Sequence, residues 1–189
     1  MPNPYRRIFQ APGAKGFSAA AFVARLPIAM APIGIVAMLS QTHGEYWLAG
    51  AVAATFAVTN ALVSPQLSRM VDRFGQSAIV MPSTALSVAA FLALAAAANQ
   101  GWPVWTLFAS ALLAAAMPSM SAMVRARWSE LFRNRPELNT AFAFESAADE
   151  LMYITGASLS VALAVSVFPE AGVLANTAFL AFGTAAFLL

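Results

Sequence analysis

Six apolar runs, each long enough to cross a bilayer, constrain this chain more than any other feature. They lie at residues 17–40, 46–67, 78–98, 102–124, 141–168 and 171–189. At the rise of an α-helix, about 20 residues traverse a hydrocarbon core of about 30 Å. In lipid every backbone N–H and C=O needs a partner within the protein, so such runs fold as helices. The segments "SQTHGE", "DRFGQS", "NQGWP", "FRNRPELNT" and "FPEAG" stand between them and carry turn-forming residues. Composition agrees: 60% of the residues are hydrophobic and 10% charged, whereas soluble domains carry about 25% charge. The sequence therefore predicts an all-α polytopic membrane protein, a single six-helix transmembrane domain over residues 1–189. The first run is no cleaved signal peptide, because it is too long, contains a charge and leads into five further runs.

Basic residues set the orientation. Arg6, Arg7 and Lys15 precede the first run, Arg69 and Arg73 follow the second, and Arg125, Arg127, Arg133 and Arg135 follow the fourth. The other connections carry only Glu45 and Glu170 among charged residues. By the positive-inside rule, both termini are expected on the cytoplasmic side of the inner membrane. Nucleic acid is thus not the partner that a pI near 9.5 would otherwise suggest. In "VRARWSELFRNRPELNTA", Trp128, Leu131 and Phe132 recur at helical spacing among arginines, which predicts a short helix lying on the inner membrane face. The chain has no cysteine and one histidine, His43 in a loop. No thiolate or zinc site is expected, and no cofactor.

One basic residue, Arg25, lies inside the first run. A charge at membrane depth calls for a named partner. The candidates are in the fifth run: Glu145, Asp149 and Glu150. Counted from the same side, Arg25 and Asp149 lie at matching depths. Glu145 and Asp149 are four residues apart and share one helix face, a stripe expected to continue through Tyr153, Gly156 and Ser160. Glu150 points elsewhere. Either Arg25 bridges the two acids or one of them holds a proton. The cluster could serve substrate or proton coupling, or only fix helix packing. Pro27, Pro32, Pro82 and Pro118 would bend or break their helices, as at transporter sites, or merely shape the bundle. Asn60, Tyr153, Met30 and Met38 are the side chains offered for a cavity.

The connection "LSRMVDRFGQSA" resembles the loop signature of the major facilitator superfamily. Asp72, Arg73 and Gly75 match that signature in position and spacing. Ser68 stands where the first glycine falls, and Gln76 and Ser77 replace a basic pair. "RLPIAMAPIGI" and "RARW…FAFESAADEL" are similar to bacterial, particularly actinobacterial, members. The resemblance implies the N-terminal six-helix half of a transporter, built as two inverted three-helix repeats. In the family the aspartate matched by Asp72 holds the two halves together on the inner side, and the base matched by Arg73 joins a charge network at that gate. The fourth run lacks the buried arginine of many proton-coupled members, and Ala157 stands where drug antiporters commonly have proline. Any coupling would fall to Arg25 and the fifth-run acids. The second half is expected from further sequence beyond Leu189 or from another copy.

The reading that follows is half of a secondary active transporter, moving a small molecule by alternating access, with ion-coupled efflux among its modes. The alternative is a non-transporting six-span subunit or receptor-like assembly protein whose buried charges are structural. An enzyme is not expected: one loop histidine and no cysteine leave no nucleophile–base set at one depth.

Overall fold

The computed structural model describes residues 4–188. Among them the chain forms helices and no strand: α1 (Pro4–Ile8), α2 (Ala14–Thr42), α3 (Tyr46–Phe74), α4 (Gln76–Gln100), α5 (Val104–Ala114), α6 (Met120–Leu131), α7 (Glu137–Ser166) and α8 (Ala171–Leu188). Of these, α2, α3, α4, α7 and α8 are long and apolar enough to cross a membrane, and α5 is a shorter apolar helix. The chain is an all-helical, multi-pass membrane protein.

Two connections differ from expectation. The signature segment before Gly75 is not a loop, because α3 runs through Ser68 and Asp72 to Phe74. A single residue, Gly75, then turns the chain into α4. Its φ of 90° is one that L side chains rarely adopt, and its N–H closes α3 on the Val71 carbonyl at 2.8 Å.

The fourth run, expected as one span over 102–124, is divided. Pro118 has no N–H to give the helix and biases Met117 away from helical backbone. So α5 stops at Ala114, residues 115–119 are non-helical, and α6 starts again at Met120. The interruption exposes the last carbonyls of α5, and the Asn60 amide from α3 donates to the Ala115 carbonyl at 3.0 Å. By contrast, α2 continues through Pro27 and Pro32, and α4 through Pro82.

The expected helix on the inner membrane face is the second half of α6, where Arg125, Ala126 and Glu130 are exposed and the apolar face turns into the bundle. Trp128 is fully buried and Phe132 nearly so. The indole meets the Phe17 ring edge-on at 4.7 Å and stacks on Phe132 at 5.7 Å. Phe9, beyond α1, packs against Trp128 and Phe144. Aromatic pairs in these geometries add about 0.5–1.5 kcal/mol each beyond area burial. The Phe17 contact seats Trp128 of α6 against α2.

Helix α2 is the axis of the bundle, packed against α3, α7 and α8. In lipid, helices associate mainly through close packing, which small residues allow. A Cβ added at Gly183 would sit 2.6 Å from the backbone of Ala24, and one at Gly172 would sit 2.5 Å from the Ser160 carbonyl oxygen. A Cβ at Gly156 would come within 3.0 Å of Ala29. Ser160 closes this seam with a hydroxyl donated to the Met30 carbonyl at 3.1 Å.

Candidate functional site

The inward face of α7 is the stripe Ala141, Glu145, Ala148, Met152, Gly156, Ser160 and Ala164, all buried. The steps are of three or four residues, as one face of a helix requires. Tyr153, expected on this stripe, lies about 100° round the helix from Met152 and is 53% exposed. Met152 takes the place that the sequence reading gave to Tyr153. Glu150 is exposed on another face.

Arg25 enters from α2 and bridges Glu145 on this stripe and the half-buried Asp149 beside it. Its Nη2 lies 2.6 Å from Glu145 Oε2 and its Nη1 lies 2.8 Å from Asp149 Oδ1, with the Arg25 side chain 1% exposed. Its Nε donates to the Ala21 carbonyl at 3.2 Å. The third wall is α6. Trp128 Nε1 donates to Glu145 Oε1 at 2.6 Å, Ser121 Oγ to Asp149 Oδ1 at 3.0 Å, and Arg125 Nη2 to Asp149 Oδ2 at 2.9 Å. Three of the four carboxylate oxygens accept a hydrogen bond, the fourth, Glu145 Oε2, meets Arg25 Nη2 as an ion pair without hydrogen-bond geometry, and two guanidiniums face two carboxylates. The arrangement is a charge-balanced brace tying α2, α6 and α7 together.

The sequence reading named Arg25, Glu145 and Asp149 but missed the α6 contribution. It placed Arg125 in a connecting loop and Trp128 on the membrane face. The signal was present: Ser121, Arg125 and Trp128 are spaced four and three apart, one face of a single helix. A continuous span that ended at residue 124 hid it.

A cavity of about 200 Å³ lies beside the brace. Arg25, Asn60, Ser64, Ser121 and Tyr153 contribute to its wall, together with the break at Met117–Ser119. Because Arg25 and Ser121 already face carboxylate oxygens, the wall presents hydrogen-bonding groups more than net charge. Met30 and Met38, proposed for the cavity, are fully buried in the packing around α2. A second cavity of about 230 Å³ lies across the break, sharing Pro118 and Ser119 with the first and lined by Ser68, Asp72 and Gln76. Asp72 and Arg73 are exposed and take no part in the brace. The Arg73 guanidinium lies 5.2 Å from the centre of the Phe74 ring. Among the described residues no group of three or more His, Cys, Asp or Glu could hold a metal.

Comparison with known proteins finds no match among curated proteins and none among solved structures. A family model does match, covering residues 17–189 and therefore every helix from α2 to α8. A buried arginine between two span-length helices, a broken fourth span and the Asp72–Arg73–Gly75 signature at the α3–α4 turn all lie within that match, and the chain belongs to the Major Facilitator Superfamily.

Proposed function

We propose that this chain is the N-terminal six-helix half of a secondary active transporter that moves a small molecule across the cytoplasmic membrane by alternating access. In this reading both termini are cytoplasmic, and the cavity beside Arg25 is one wall of the substrate path. The opposite wall comes from a second six-helix half. The observation that carries the proposal is Arg25: a guanidinium 1% exposed and paired with two acids, at the edge of a polar cavity bounded by a broken helix. Ionisable groups in membrane spans are costly and mark pathways, and interrupted helices border transporter binding sites.

The roles divide by geometry. Arg25, Glu145 and Asp149 hold α2, α6 and α7 as one body that rocks as a unit. With both carboxylates ion-paired and three of their four oxygens hydrogen-bonded, this brace is assigned to holding helices in place. Asn60 positions the break through Ala115 and, with Tyr153, lines the path. Asp72, Arg73 and Gly75 form the inner gate, where the signature meets the second half.

The test is flux by the whole gene product in proteoliposomes, screened with small amphipathic compounds. Tyr153 is largely exposed, so Tyr153→Ala should leave the fold intact. Flux of a transported compound should fall at least about tenfold, the equivalent of about 1.4 kcal/mol in barrier. Flux equal to wild type in that variant would remove Tyr153 from the path. A full-length protein that transports nothing would favour the non-transporting subunit.

A further inference from the structure

A third cavity, of about 440 Å³, lies between α2 and α7, next to Phe9 just after α1, and has no part in the path described above. It uses a different face of α2, formed by Ala19, Phe22 and Val23, and is closed on other sides by Phe9 and Phe144. Apart from Ser18, its polar contributors are Arg25, already committed to two carboxylates, and Lys15. Lys15 is exposed in the first turn of α2. Arg6 and Arg7, on the adjoining α1, are exposed as well. None of these three cations has an ion-pair partner among the described residues.

We infer that this groove is a binding site for an anionic phospholipid, with an acyl chain against Phe9, Phe22 and Phe144 and the headgroup on Lys15, Arg6 and Arg7. The inference rests on the chain being embedded in a membrane and is independent of transport. An apolar trough on a membrane helix faces hydrocarbon, and aliphatic chains gain from its aromatic walls. Lys15 lines the groove, and Arg6 and Arg7 lie three and two residues before its Phe9 wall. Cations so placed favour a headgroup carrying net negative charge, because basic residues at an anionic surface each strengthen attraction roughly fivefold. A zwitterionic lipid would fill the groove without that gain. A soluble phosphate would meet the cations but gain nothing from the groove.

Native mass spectrometry of the full chain in detergent tests this, titrating phosphatidylglycerol and phosphatidylcholine of identical acyl chains. The first phosphatidylglycerol should bind at least about fivefold more tightly than phosphatidylcholine. Lys15→Gln combined with Arg6→Gln and Arg7→Gln should bring the ratio close to one. Ala19→Phe, which fills the exposed groove and leaves every cation in place, should weaken both lipids. Arg133→Gln with Arg135→Gln removes two exposed cations elsewhere and should keep the full preference. All these positions are exposed, and thermal scans identify any variant that has lost its fold. The inference is overturned by equal binding of the two lipids to wild type. It is equally overturned if Ala19→Phe binds like wild type, or if the Arg133/Arg135 variant loses as much as the Lys15 set. Either result would mean that net basic charge acts without the groove.

Discussion

Arg25→Gln should destabilise the folded protein by about 3–5 kcal/mol, the range found when one partner of a buried ion pair is removed. The size follows from what remains. Glu145 is fully buried, and its Oε2 would keep no guanidinium. Asp149 would retain Ser121 and Arg125, so Glu145 carries most of the loss. The effect comes from the stranded charge and is not the net worth of the bridge. Adding Glu145→Gln to Arg25→Gln should therefore recover part of the loss. The amide oxygen can still accept from Trp128, and no unpaired charge stays in the core. Reversible unfolding in mixed micelles reads both variants. Arg25→Gln as stable as wild type would mean that the brace does not hold α2 to α7.

Gly183 gives the second large effect, through packing alone. A Cβ there would lie 2.6 Å from both the N and the Cα of Ala24. Backbone cannot rotate away as a side chain can, so α8 must move off α2. Gly183→Ala should cost about 1–3 kcal/mol by overpacking, and Gly183→Leu should yield little folded protein. Ala24 precedes Arg25, so the displaced helix also carries the brace out of register with α7. Gly50 is the control. It is likewise inside a helix, but an added Cβ meets nothing within 4 Å. Gly50→Ala should be neutral or stabilising by about 0.5–1 kcal/mol, as expected for replacing a helical glycine. Equal effects at the two positions would show that α2 and α8 do not pack through Gly183.

These two positions differ in how far the sequence revealed them. Arg25 stood out because a charge in an apolar run demands a partner; matching depth pointed to Asp149, and the shared helix face added Glu145. The close approach at Gly183 was invisible, since a glycine in a membrane helix does not disclose which neighbour crosses it. Run length showed where most spans lie, but hydropathy cannot distinguish a straight span from one divided at Pro118. Hydropathy also could not show that α6 continues through Arg125 to Leu131. Arginines suggest a loop or a surface, while the edge-on Phe17 ring and the stacked Phe132 ring enclose Trp128. Tyr153 was misplaced by one helical position, because a polar residue was preferred for a stripe that buries Met152.

In the proposed function, the cavity beside Arg25 belongs to an aqueous path through the membrane. These 189 residues hold no cysteine, so Ser64→Cys gives them a single thiol, read against the same protein without the substitution. Ser64 is half-buried on α3 and lines the cavity with Asn60 and Arg25. The measurement is its labelling by a membrane-impermeant maleimide in vesicles of each orientation. Reaction from both sides of the membrane is expected, as alternating access opens the wall first to one face and then to the other. Labelling only by a lipid-soluble maleimide, with none by the impermeant reagent from either side, would contradict it and place the cavity against lipid.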